Sequence, residues 1–339
     1  MHVQTEMREQ PEVLGRLLSG APHVAGDLAG PLAGRPAGVL LIARGSSDHA
    51  ATYARYLLEL VIGCPVSLAA PSLYTRYGVQ TRYDGWLAVG FSQSGETPEI
   101  VDVLAQVRSR GARAVAVTNA PASSIADVAD AVVDLACGPE VAVPATKTFT
   151  ASLAAVAVVA AAFGRLPWTR DDELRAVDAV AAALDDEGAT QEAVEQLVAA
   201  TGVTHLGRGF TYAVAQEAAL KYRETNGRPA DGQSVADFLH GPIAAARQGT
   251  CVIAYAPPGA VVEDIRDATR AAERRGSVAY VVGAPVAGTP TISVDPRVPE
   301  GLAVLAMSVR AQQLAVGAAL RRGIDPDLPF GLSKVTATH

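Results

Sequence analysis

The sequence predicts an α/β protein of two tandem domains, each a parallel sheet in a three-layer α/β/α sandwich. Three observations carry that expectation. The 339 residues exceed what one hydrophobic core usually supports. Short apolar runs alternate with helical patterns at the period of βαβ units. Landmarks also recur: Arg44, Ser92 and Thr118 are spaced by 48 and 26 residues, and Arg208, Pro257 and Gly283 by 49 and 26, as a duplicated fold would give. The expected organisation is a helical lead-in over 1–38, domains over 39–170 and 171–325, and a tail over 326–339.

The elements follow in order. The lead-in reads as a short helix and then a loop, GDLAGPLAGRPAG. GVLLIARGSS reads as strand and turn, DHAATYARYLLELVIG as an amphipathic helix, and CPVSLAAP as a second short strand. GWLAVGFSQSGETPE is strand then loop, PEIVDVLAQVRSRG helix, ARAVAVTNA strand and DAVVDLACGPE a further strand. Residues 147–163 form an apolar helix and 171–200 a helical bridge. The plan then repeats: GVTHLGRGF is strand and turn, TYAVAQEAALKYRE helix, GTCVIAYAPPG and GSVAYVVGAPV strands, and 301–322 a last helix. The polar stretch before DFLHGP reads as loop, and PDLPFGLSKVTATH as an irregular tail.

Apolar residues make up 49% and charged residues 19%, which excludes disorder. The net charge of −7 argues against a nucleic-acid surface, but backbone N–H groups can still hold a phosphate. Cys64, Cys137 and Cys251 fit neither a disulfide framework nor zinc spacing, so reduced thiols in the cytoplasm are expected. The N-terminus lacks the apolar core of a signal peptide. The run Ala151–Phe163 is too short to span a bilayer, which needs about 20 residues.

The strongest local signal is Ser92-Gln93-Ser94-Gly95-Glu96-Thr97, between an apolar strand and a helix opened by Pro98. Pro is favoured at the first helical position because its missing N–H has no partner to lose. The helix start offers free N–H groups and the positive end of its dipole. Ser92, Ser94 and Thr97 add hydroxyls, and Gly95 permits close approach, so a phosphate fits without a cation. The plainer alternative is that Thr97 is an N-cap and the serines a turn. Ser46 and Ser47 fall at the same carboxyl edge of a parallel sheet. Neither a Walker loop nor a dinucleotide fingerprint occurs, so no nucleotide cofactor is expected.

Glu217, Lys221 and Glu224 lie at i, i+4 and i+7, on one helix face. A solvated salt-bridged stripe is the ordinary reading. Against it, the rest of the helix is small and apolar, and buried acid beside lysine suits proton transfer. His240, in DFLHGP, is either structural or an acid–base group. Lys334 reads as an exposed terminal lysine. The remaining histidines form no ligand cluster, so no metal is expected.

The motifs ARGSSDHA, SQSGETPE, AVTNA, GPEVAVPATKTFT, LGRGFTYAVAQEAALKYRE, HGPIA and LSKVT together resemble the isomerase part of glucosamine-6-phosphate synthase, a tandem of two SIS (sugar isomerase) domains. The resemblance runs from MREQPEVL to the tail. The synthase's glutaminase domain has no counterpart in these 339 residues. The resemblance implies that Ser47, Ser92, Gln93, Ser94 and Thr97 bind the substrate phosphate, with Val143, Glu217 and Ser333 also lining the substrate. It implies Glu224 as the catalytic base with Lys221 beside it, and Lys334 as a lysine able to form an imine with an open-chain sugar. His240 would open the sugar ring from the neighbouring subunit of a homodimer. Departures occur at Arg44, Pro144, Ala145, Thr225–Gly227 and Asp237, around the expected C2 pocket.

The expectation is therefore an enzyme acting at C1 and C2 of a hexosamine 6-phosphate, deaminating and isomerising glucosamine 6-phosphate to fructose 6-phosphate and ammonia. The same base could instead drive loss of water from C3 of N-acetylglucosamine 6-phosphate, or deglycation of a fructosamine 6-phosphate. From another class, a non-catalytic sugar-phosphate sensor is the alternative. Regulators of that kind carry a helix-turn-helix domain, for which residues 1–38 leave no room.

Overall fold

A computed structural model describes residues 1–329, 331–332 and 334. They divide into two compact units. The first comprises 12–140, 147–167 and Lys334; the second comprises 1–11, 141–146 and 168–332.

The chain opens with α1 (His2–Arg8) and α2 (Gln10–Ala29). Helix α2 corrects the sequence expectation, because it continues through Gly26 to Ala29 and encloses Pro22. Leu14, Leu18, Ala21, Ala25 and Leu28 are all buried. That spacing of three and four is one apolar stripe, and packing of such a stripe overrides weak local propensity.

The first unit continues as β1 (Val39–Ile42), α3 (Ser46–Ile62), β2 (Val66–Leu68), α4 (Ser72–Thr75), β3 (Leu87–Phe91) and α5 (Pro98–Ser109). There follow β4 (Arg113–Thr118), α6 (Ser124–Asp127), β5 (Ala131–Asp134) and α7 (Lys147–Ala161). The sheet is parallel in the order β2-β1-β3-β4-β5. VLLI and LAVGF are buried throughout, as strands covered on both faces must be. Leu40, Ile42, Ala88, Ala114 and Ala116 form one face with Ile100, Val103, Leu104 and Val107 of α5. Gly90 lets α5 close on the sheet, since a Cβ there would stand 3.0 Å from the Leu104 side chain.

The second unit adds α8 (Arg170–Asp185), α9 (Gln191–Ala199), β6 (Gly202–Gly207), α10 (Thr211–Asn226), β7 (Ala230–Ser234) and α11 (Val235–Leu239). The rest is β8 (Thr250–Ala256), α12 (Val262–Arg274), β9 (Val278–Gly283), β10 (Thr291–Ile292) and α13 (Glu300–Arg321). Its parallel sheet runs β10-β9-β8-β6-β7. Numbered within each half, both sheets have the order 2-1-3-4-5, and the repeated plan read from the landmark spacings is present.

Strand β7 corrects a second expectation, because ADGQS before α11 pairs with β6 rather than forming a loop. Its Gly232 sits against α10, where a Cβ would lie 2.5 Å from Ala215 O and Gln216 Cα. Helix α13 is long and apolar enough by length and composition to cross a membrane, a point the shorter run at Ala151 did not signal. It is instead a core element here: 94% of its most apolar window is buried, against α8, α9 and α10.

Candidate active-site residues

In the 2-1-3-4-5 order the chain leaves β1 and β3 toward opposite sides of the sheet, and ligands of open parallel sheets bind in the crevice at such a switch point. Helix α3 begins at Ser46, directly after Gly45 with φ +58°, so Ser46 and Ser47 form its first turn. The 92–97 loop leaves the neighbouring β3. Thr97 occupies the N-cap of α5, yet its side chain makes no capping bond. Its hydroxyl lies 3.2 Å from Ser92 Oγ, so the N-cap alternative does not account for this threonine.

The loop is rigid. Gly95 N–H donates to Ser92 Oγ at 3.1 Å, and Glu96 N–H donates to Ser94 Oγ at 3.2 Å. Gln93 O accepts from Asn119 N–H at 3.2 Å. Ser124 donates to the Glu96 carboxylate through N–H (3.0 Å) and hydroxyl (2.6 Å), and those bonds hold the exposed carboxyl below its ordinary range. Gly95 has φ +70°, and a Cβ there would meet Ser123 Oγ at 1.9 Å. No other residue fits.

Arg44 is turned to the buried Glu99 of α5, donating from Nε at 2.8 Å and from Nη2 at 3.0 Å. Its hydrogen bond to Glu99 raises the guanidinium pKa further, and the charge is spent within the fold. Burial raises the Asp48 carboxyl. The second unit repeats the ion pair: Arg208 Nε lies 2.7 Å from Asp264 Oδ2 of α12, and Gly209 has φ +59°. Its loop, Pro257-Pro258-Gly259-Ala260-Val261, carries no hydroxyl. Ala260 N–H donates instead to the chain's own Glu300 carboxylate at 3.1 Å.

On α10 Lys221 and Glu217 are buried and Glu224 is part-buried, so the three are not a solvated stripe. Lys221 and Glu217 are 3% and 4% exposed, with Lys221 Nζ 3.4 Å from Glu217 Oε1. Glu224 is 20% exposed, and its Oε2 stands 2.5 Å from the same Nζ. That contact is an ion pair without aligned hydrogen-bond geometry. Small residues explain the burial: Ala213, Ala215, Ala218 and Ala219 are closely packed, and Gly207 admits the Thr211 carbonyl where a Cβ would meet it at 2.2 Å. The departures Thr225 and Asn226 have a structural role, donating to Ala315 O of α13, while Gly227 caps α10 in the left-handed conformation.

His240 follows α11 directly and is exposed. Among the described residues its side chain has no hydrogen bond or ion pair. Val143 and Ala145 are half-buried and Pro144 buried, while Asp237 is exposed in the first turn of α11. Ser333 lies outside the described residues.

Lys334 is not a free terminal lysine. Its Nζ donates to Glu140 Oε2 at 2.7 Å, with Lys334 22% and Glu140 0% exposed. Thr148 donates to the same carboxylate through N–H (3.1 Å) and hydroxyl (2.6 Å). Sequence reasoning missed Glu140. Its signal was an acid followed eight residues later by a threonine, a pattern too common to single out. It also missed Glu99, whose signal lay in the duplication: Arg44–Glu99 and Arg208–Asp264 are separated by 55 and 56 positions. A cavity of about 450 Å³ opens in the second unit beside Met7, Val194, Val316 and Leu320, and none of the expected site residues lines it.

The chain belongs to the SIS domain family, whose profile matches residues 36–162 and 197–320. It is 30% identical over 335 residues to glutamine–fructose-6-phosphate aminotransferase (isomerizing) of Methanothermobacter thermautotrophicus, with 97% of this chain aligned to 56% of that protein. It therefore spans little over half the length of this relative. A solved structure of a candidate phosphosugar isomerase from Silicibacter pomeroyi DSS-3 is 32% identical, with a TM-score of 0.85 over 96% of this chain and all of that one. The structure of glucosamine-6-phosphate deaminase from Thermotoga maritima shares the fold at 21% identity, with a TM-score of 0.78 over the full length of both.

Proposed function

We propose that the chain is an enzyme acting at C1 and C2 of a hexosamine 6-phosphate, converting glucosamine 6-phosphate and water to fructose 6-phosphate and ammonia. The observation that carries the reading is the buried Lys221 ammonium paired with both Glu217 and Glu224. The pair sets a carboxylate beside a fixed cation on a closely packed helix, a geometry suited to a base that takes a proton from carbon. The names of two relatives, a glutamine–fructose-6-phosphate aminotransferase (isomerizing) and a candidate phosphosugar isomerase, support a sugar-phosphate substrate.

In this reading the hydroxyls of Ser47, Ser92, Ser94 and Thr97, with Gln93 and the start of α5, hold the 6-phosphate. His240 opens the ring, and its exposed, unpartnered side chain suits a role in the crevice of a second copy of the chain, as a homodimer would provide. Glu224 removes the C2 proton from the open-chain aldose and returns it to C1, while a proton passes from the 2-amino nitrogen to O1, which leaves a C2 imine. The Lys334 nitrogen then adds to C2. The proton shed by its ammonium leaves with the departing ammonia, and water hydrolyses the lysine imine to the ketone. Val143 completes the substrate contacts.

Proton NMR in D2O with glucosamine 6-phosphate and with its N-acetyl form tests this. Fructose 6-phosphate and ammonia from the free amine support the reading. Olefinic signals from the acetylated sugar overturn it in favour of elimination at C3. Binding of both without turnover overturns it in favour of a sensor or a fructosamine substrate.

A further inference from the structure

The contact between Lys334 and Glu140 joins residues 194 positions apart. The carboxylate has no exposed surface, and its orientation is fixed by two donors from Thr148, in the first turn of α7. Around it lie Cys137, whose thiol burial and the Glu140 charge push up to about 12, and the buried Lys147. Glu140 and Lys334 both sit outside helices and strands, but only Glu140 is fully buried and held by further donors. A four-carbon side chain on irregular backbone has many rotamers, and a single charge-assisted bond to a rigid acceptor removes most of them. Glu140 is therefore too deep for a role in solubility and stands next to a lysine that the fold otherwise leaves unguided.

We propose that Glu140 is a positioning residue for Lys334, holding the tail lysine at a fixed station from which its nitrogen reaches the sugar carbonyl. The proposal rests on the role given to Lys334 above. Orientation of a nucleophile is worth large factors in rate, and a misplacement of about 1 Å costs roughly 10²-fold. Glu140→Gln keeps the shape and the bond from Thr148 N–H, turns the Thr148 hydroxyl from donor to acceptor, and removes the charge that holds the ammonium. It should lower kcat about 10- to 100-fold and leave KM within about threefold, because the phosphate contacts are elsewhere.

Two measurements separate this role from a structural one. The first is a cycle of Glu140→Gln, Lys334→Ala and the double variant, read as kcat. Groups that act as a unit are non-additive, so Glu140→Gln should cost nothing further once Lys334 is alanine. The second is tryptic cleavage after Lys334 in the folded protein, followed by mass spectrometry, which should accelerate at least about tenfold in Glu140→Gln as local opening becomes more populated. Equal kcat loss in both backgrounds, or unchanged cleavage, overturns the proposal. Faster cleavage with full turnover in Lys334→Ala sustains the tether and removes the imine step instead. Glu140→Asp, which keeps the charge on a shorter arm, gives an intermediate loss of kcat and carries the test if Glu140→Gln does not fold.

Discussion

Lys221 Nζ lies 2.5 Å from Glu224 Oε2 at a position where the lysine is 3% exposed, so one buried cation serves the proposed base and a second buried acid, Glu217. Lys221→Met would leave two acids without their counter-charge, and removing one partner of a buried ion pair costs about 3–5 kcal/mol. Urea unfolding should show that loss as a lower midpoint at unchanged slope.

Glu224→Gln preserves shape and removes the base. Turnover should fall at least about 10²-fold, the scale general-base catalysis supplies, while calorimetric binding of substrate stays within a few-fold. Retained turnover would exclude Glu224 as the base.

The proposed phosphate loop makes a different prediction. Ser92→Ala with Thr97→Ala should weaken sugar-phosphate binding at least about 10²-fold, as loss of two charge-assisted bonds of about 1.5 kcal/mol or more each requires, with kcat less affected. Gly95→Ala should destabilise the fold by at least about 1–3 kcal/mol through its positive φ alone, because its Cβ also collides with Ser123.

His205 gives a prediction in pH. Its ring is buried, Nδ1 lies 3.1 Å from Tyr255 Oη, and burial, with a smaller contribution from Arg223, pushes its pKa down to about 3 from 6.5. The unfolded chain therefore binds a proton below pH 6.5 that the folded chain refuses. Stability contributed by this group is complete above pH 6.5 and is lost as pH falls toward 3. Between pH 7 and 5 the loss is about 2 kcal/mol, and a His205→Leu variant should unfold without that component of the slope.

Complementation tests the exposed His240. Mixtures of Glu224→Gln and Lys-intact His240→Ala chains, refolded together, should regain roughly a quarter of wild-type activity if half of the dimers carry one intact site. Absence of any regain, with dimers shown by sedimentation, would mean that base and histidine act within one chain.

How much of this could be read from the residues differs from site to site. The 92–97 loop was legible because Pro98 and the hydroxyls are local signals of a helix start. The register of Glu217, Lys221 and Glu224 was legible from periodicity, but their burial was not, since it depends on Gly207 and on α13 packing against α10. Glu140 was invisible because its partner is 194 residues away. Strand β7 was missed because ADGQS has little strand propensity and exists through pairing with β6 and the closeness of Gly232 to α10. The end of α2 was missed because Gly and Pro signal a break that the buried stripe from Leu14 to Leu28 overrides.

The two prolines after β8 have a consequence for how the halves differ. Pro257 and Pro258 offer no amide hydrogens, and the nearby Ala260 N–H is turned to Glu300. An anion drifting toward that crevice meets a fixed carboxylate, whereas at the first crevice it meets hydroxyls and an arginine already neutralised by Glu99. The first loop presents hydroxyls to an incoming solute, whereas in the second the chain's own carboxylate already takes the backbone donor an anion would use.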